Sequence, residues 1–94
     1  MRVRWLRSAL LNLNAEAEYV ARDKLLAAAR VVSTITKTVG KLRRHPALGR
    51  PGRVPGTREL IVPGTSYIVP YRVRENTVEI LRVFHAARRW PSKF

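Results

Sequence analysis

Polar and apolar residues alternate over Arg2-Val3-Arg4-Trp5-Leu6, a run too short for a helix, and predict a first strand with Val3 and Trp5 on one side. Beyond it the period lengthens. Leu10, Leu13, Ala17 and Val20 recur at steps of three and four, while Asn12, Asn14, Glu16 and Glu18 lie mostly off that stripe. An amphipathic helix is therefore predicted over 9–21, with Ser8 as its N-cap. Asp23 is placed to cap a second helix, in which Leu25, Ala28, Val32, Ile35, Val39 and Leu42 form an unbroken stripe. That helix is predicted over 24–43, although its centre is rich in β-branched residues and Gly40 lowers helix propensity by about 1 kcal/mol. One or two residues separate the stripes, so the helices fold back as an antiparallel hairpin whose seam and lower face meet a sheet.

From Arg44 to Thr57 the chain turns to His-Pro, Gly-Arg-Pro-Gly and Val-Pro-Gly, a constrained loop. Strands are then predicted near 58–62, 67–74 and 77–84, separated by turns at Pro63-Gly64-Thr65-Ser66 and Glu75-Asn76. In the middle strand Tyr67, Val69, Tyr71 and Val73 share a face, and in the last one Val78, Ile80 and Phe84 share one that Arg82 interrupts. Pro70 cannot donate to a ladder, so its strand should carry a bulge or an unpaired position there. The expected fold is α+β: an N-terminal strand, then an antiparallel two-helix hairpin packed on a mainly antiparallel sheet that ends in a three-stranded meander. The pattern leaves open where the first strand joins the sheet.

At 94 residues and 46% apolar composition the chain reads as one domain, 1–94, with a core of modest stability. It holds no cysteine and only two distant histidines, which excludes disulfides, thiol chemistry and thiolate or histidine metal sites, and no cofactor is expected. No apolar run approaches the roughly 20 residues of a membrane span, so a soluble cytoplasmic protein is expected. The charge changes the picture most. Nineteen Lys and Arg stand against six Asp and Glu, a net +13, and fifteen of the nineteen are Arg. Such self-repulsion is offset by an anionic partner, and the arginine fork pairs with carboxylate or phosphate where lysine acts as a point charge. Residues 41–94 carry twelve basic and three acidic groups, residues 1–40 only seven and three.

Leu42-Arg43-Arg44-His45-Pro46-Ala47-Leu48-Gly49-Arg50-Pro51-Gly52, the Arg58-Glu59-Leu60 strand, Tyr71-Arg72-Val73 and Ile80-Leu81-Arg82-Val83-Phe84-His85 follow one another behind a short strand and a helical hairpin. Together, and across nearly the whole chain, they resemble the RelE/ParE toxin superfamily of type II toxin–antitoxin modules. The resemblance implies a RelE/ParE-like fold and a cognate acidic antitoxin, ParD-like, with a ribbon-helix-helix DNA-binding part. It also implies one of two targets: RelE-like members cleave messenger RNA on the ribosome, and ParE-like members inhibit DNA gyrase.

A RelE-like nuclease typically has an arginine just after the tyrosine that opens the central strand, and here Ile68 follows Tyr67. Isoleucine neither stabilises phosphate charge nor moves a proton, and the loop lysines of such nucleases are replaced by Arg50 and Arg53. The ParE-like branch is thus favoured. In the nuclease alternative, His85 would be the acid/base group among Arg82, Arg88 and Arg89; otherwise it is a structural histidine. His45, before Pro46, suits a helix C-terminus. Candidates for antitoxin carboxylates are Arg58, Arg72, Arg74 and Arg82, with Arg58 equally able to pair with Glu59. Candidates for target contact are Arg88, Arg89 and Trp90, the last expected to be exposed or to cover the sheet edge. Tyr67 and Tyr71 are expected in the core. Direct DNA binding by the basic surface ranks third, because no recognition-helix motif accompanies it.

Overall fold

The computed structural model describes residues 1–87 and 90–94. Its elements follow in the order β1 (Arg2–Trp5), α1 (Arg7–Ala21), α2 (Leu25–Gly40), a 3-10 turn (Lys41–Arg43), β2 (Arg50–Pro51), β3 (Arg58–Ile61), β4 (Tyr67–Arg74), β5 (Thr77–Ile80) and β6 (Phe84–His85). Among the described residues the sheet has six strands in the order β1-β5-β4-β3-β2, with β6 pairing β4 beyond the end of β5. This is the α+β architecture that the periodicity predicts. The first strand takes an edge, parallel to β5, with Arg2 opposite Thr77 and Trp5 opposite Ile80. The intervening hairpin supplies the long crossover that a parallel pair needs. β2 adds two residues beside β3 that the loop composition does not foretell.

One face of the sheet is apolar and meets the helices. Ile35 and Val39 of α2 and Leu42 of the turn cluster with Val69, Tyr71, Val78 and Ile80, while Val3 and Trp5 close the β1 edge. The α2 stripe behaves as expected except at its start, where Leu25 projects into solvent. Neither predicted cap forms: Leu6 and Lys24 stand at the two N-cap positions without a side-chain hydrogen bond.

The last strand departs most from expectation. It breaks after Ile80, and Leu81-Arg82-Val83 lie where β4 presents only Val69 and Pro70, since Tyr71 pairs with Ile80 and Ile68 with Phe84. The bulge forecast from Pro70 exists, with its extra residue on the neighbouring strand. Pro70 offers its carbonyl to Leu81 N–H at 3.0 Å, so its donorless nitrogen faces the break. A one-residue slip reverses facing, so Phe84 does not share a face with Val78 and Ile80. Phe84 pairs with Ile68 on the side away from the helices, and His85 pairs with Tyr67.

The α1 helix replaces the lost ladder partners. Ser8 Oγ donates to the Leu81 carbonyl at 2.8 Å, and Asn12 Oδ1 accepts from Val83 N–H at 3.1 Å. These bonds roll α1 by about one residue from its predicted orientation, burying Ala9, Leu13 and Glu16 and leaving Leu10 exposed. Replacing Asn12 with alanine should destabilise the protein by about 1–2 kcal/mol in urea unfolding, because Val83 N–H loses its partner. Asn14→Ala, at an exposed position of the same helix, should stay within about 0.5 kcal/mol. Equal effects of the two would refute this role for Asn12.

Candidate functional site

The loop between the 3-10 turn and β3 is tied down by two buried residues. Tyr71, fully enclosed in β4, donates its hydroxyl to the Pro46 carbonyl at 2.6 Å and accepts from Gly49 N–H at 2.8 Å. Burial pushes its phenol above the ordinary value of 10, against the Gly49 hydrogen bond and the Arg58 charge. Gly49 has to be glycine for this contact, since a Cβ there would come within 2.6 Å of the tyrosine ring and 2.9 Å of the Glu59 carbonyl.

Glu59 is the second anchor. Its carboxylate, 2% exposed, accepts from Arg50 Nε (3.2 Å) and Nη2 (3.0 Å), from Arg53 Nε (3.1 Å) and Nη2 (3.3 Å), and from Arg53 backbone N–H (2.8 Å). Burial alone would raise its pKa, but these bonds and the Arg53 charge outweigh burial and hold it below 4.5. The Arg53 guanidinium then stacks 3.8 Å from the Trp90 ring, which packs on Phe84 at 4.8 Å. Phe94 also approaches Phe84, at 6.2 Å. A short aromatic tail thus covers the Ile68 end of the sheet on the side away from the helices.

The structure disperses the arginines that the sequence singles out. Arg58 does not pair with Glu59; it donates to the Gly49 carbonyl at 2.8 Å and helps hold the loop. Arg82 donates to Ser8 Oγ and to the Leu81 carbonyl, with its guanidinium 5.4 Å from the Phe94 ring. Arg72 and Arg74 do come together, on the open face of the sheet around Glu79, at 2.7 and 3.9 Å. The Arg72 hydrogen bond leads in holding the Glu79 carboxyl below 4.5, against an opposing effect of desolvation and with the added charges of Arg72, Arg74 and Arg4. Trp90 is half-buried, and Arg88 and Arg89 lie outside the described residues.

Ile68 is buried between Ile61 and Phe84. His85 stands edge-on to Tyr67 at 5.7 Å, and its Nδ1 accepts from Ala87 N–H at 3.2 Å. Among the described residues no group of three or more His, Cys, Asp or Glu is placed to hold a metal ion, and no helix is long and apolar enough to cross a membrane.

Two surfaces take their full outline only in the fold. On the outer side of the hairpin, Ala17, Ala21, Ala28, Ala29 and Val32 line an apolar groove, flanked by Leu25 and Leu26 at 75% and 74% exposure. The signal was present in Leu25-Leu26-Ala27-Ala28-Ala29, where apolar residues run on past one helix face. On the sheet, Arg2 and Arg4 of β1 flank Thr77 and Glu79 and join Arg72 and Arg74 across three strands.

The sequence model of the ParE toxin of type II toxin–antitoxin systems, parDE, matches residues 3–90. The chain belongs to the ParE toxin family. Within its reach, the Y4kP toxin candidate of Sinorhizobium fredii is 47% identical over 90 residues, covering 96% of this chain and 93% of that protein. Toxin RelE2 of Caulobacter vibrioides is 31% identical over 84 residues, covering 89% and 93%. A solved structure of the chromosomal ParDE system of P. aeruginosa superposes with a TM-score of 0.85 at 28% identity, covering 90% of this chain and 95% of that one. The ParE match extends from β1 to Trp90, and so takes in the Glu59 anchor, the hairpin groove and the arginine-bearing strands.

In this ParE-family chain, Glu59→Gln should destabilise by about 2–3 kcal/mol, because two arginines lose a buried charged acceptor. Glu59 and Glu79 both titrate below their ordinary 4.5 in the folded state, so their contribution is complete above that pH and is lost as pH falls through the lowered values. Urea midpoints should therefore drop below pH 4.5, and less steeply in Glu59→Gln. A variant with the same acid slope as the parent would remove Glu59 from this role.

Proposed function

We propose that this ParE-family toxin arrests growth in the cytoplasm by binding DNA gyrase and blocking supercoiling, and cuts no RNA. The supporting observation is Ile68. Where a RelE-like nuclease stabilises phosphate charge, this chain packs isoleucine against Ile61 and Phe84. Arg50 and Arg53 are engaged by Glu59 and Arg82 by Ser8, so these three arginines are committed to the fold itself. Losing one preorganised charge typically costs about 100- to 1,000-fold in rate. The relative named RelE2 favours the alternative, a ribosome-dependent endoribonuclease acting through His85.

The toxin is held inactive by a cognate acidic antitoxin, ParD-like and carrying a ribbon-helix-helix part. The family membership, the net +13 and the ParDE neighbour support this partner. An amphipathic antitoxin segment fits the hairpin groove with its apolar side, while its carboxylates are drawn to the surrounding positive field.

Purified toxin should inhibit gyrase supercoiling and leave ribosome-bound messenger RNA intact, and His85→Ala should retain most toxicity. Cutting of ribosome-bound messenger RNA that His85→Ala abolishes together with growth arrest would transfer the assignment to the nuclease. Antitoxin association should slow markedly as salt rises from low to physiological strength, and bound antitoxin should raise the melting temperature. A salt-independent association rate would contradict the electrostatic part.

A further inference from the structure

The open face of the sheet carries a cluster in which Arg72 and Arg74, candidates for antitoxin carboxylates, are joined by two arginines of β1 that no role assigned above uses. Register places Arg2, Thr77 and Arg74 in one row across β1, β5 and β4, and Arg4, Glu79 and Arg72 in the next. At ordinary strand spacing the four arginine Cα positions mark a rectangle of about 10 by 7 Å. The side chains point away from the helices, since Val3, Trp5, Val78 and Ile80 fill the other face. Arg72 and Arg74 share Glu79, whereas the side chains of Arg2 and Arg4 make no hydrogen bond or salt bridge among the described residues. An adjoining hollow lined by Arg72 and Arg74 adds Lys93, while Glu75 and Glu79 line the hollow among Arg2, Arg4 and Arg74.

We propose that this arginine face binds the phosphate backbone of double-stranded DNA without reading its sequence. The inference goes beyond the gyrase reading and does not depend on it. Protein hot spots, arginine ones included, sit in well-packed pockets that exclude water, and the two rows add no apolar side chain to their arginines. Single-stranded nucleic acid calls for aromatic stacking platforms, which are likewise missing from these rows. Duplex RNA is gripped across successive grooves over about 16 base pairs, a longer surface than this rectangle. A duplex DNA backbone needs only cations and hydroxyls at close spacing, which Arg2, Arg4, Arg74 and Thr77 supply. The missing recognition helix excludes base reading and leaves backbone contact available.

The test is fluorescence anisotropy of the full-length protein with a labelled short DNA duplex of arbitrary sequence, across a salt series. Replacing both Arg2 and Arg4 with alanine should weaken binding about tenfold or more at low salt and reduce the log–log salt slope by about 1.8, or 0.9 per phosphate. Glu79→Gln, which removes the carboxylate between Arg4 and Arg72, should tighten binding several-fold. Arg22→Ala with Arg30→Ala lowers net charge equally on the hairpin, and should leave affinity within about twofold of the parent. Equal losses in the two double variants would overturn the proposal in favour of bulk charge. Stronger competition by duplex RNA than by duplex DNA would overturn the choice of ligand. Binding of a polyglutamate peptide that Arg2 and Arg4 control, with DNA affinity unchanged, would reassign the face to an acidic protein. Unchanged melting temperatures confirm that the variants are folded, as expected for exposed β1 side chains.

Discussion

Pro70 has no N–H to give, and much of the molecule is arranged around that missing donor. Its donorless side faces the last strand, which answers with three residues, 81–83, opposite the two of β4. Backbone groups released from the ladder must still be paired, and Ser8 and Asn12 take two of them. Because both lie on α1, satisfying them fixes the helix's rotation. That rotation buries Ala9 and Leu13 and turns Leu10 and Leu11 outward. The same slip sends Phe84 to the far face, where it seats Trp90 and Phe94 and closes the space beside Ile68. A constraint in the central strand thus sets both the helix orientation and the apolar surroundings of Ile68.

The architecture was legible because its signals are local. The α2 stripe, the Glu75-Asn76 turn and the alternation in β4 each follow from spacing alone, and the turn is built as forecast with both residues at positive φ. The site was less legible because its contacts are not local. Asn12 meets Val83 and Ser8 meets Leu81 across more than seventy residues. Nothing in Arg-Pro-Gly-Arg tells that Glu59 will hold both arginines, since only the β2–β3 register brings Arg50 opposite it. Arg2 and Arg4 could be placed on one side of a strand from the pattern, yet their companions stayed hidden until β1 was seated beside β5.

Fifteen arginines count alike in a composition and differ widely in the fold. Arg50, Arg53, Arg58 and Arg82 are committed to holding a carboxylate or a backbone carbonyl, although the single Glu59 carboxylate offsets only one of their four charges. Arg2, Arg4 and Arg74 keep exposed guanidinium groups, with Glu79 as the acidic side chain in the row of Arg4. Net charge therefore gives the sign of the partner, while the distribution of paired arginines decides which surface meets it.

The hairpin groove and the arginine face differ in what sustains a complex. Binding in the groove removes apolar surface from water, a gain that salt scarcely weakens, so electrolyte acts there chiefly on the rate of encounter. Contacts on the sheet rest on charge alone, and at about 0.15 M salt the screening length of about 8 Å is comparable to the spacing of the arginines themselves. Each guanidinium then acts nearly by itself. An anion held there is exchanged readily while a partner in the groove stays bound, and because the groove lies on the helices and the arginines on the far side of the sheet, the two can be occupied together.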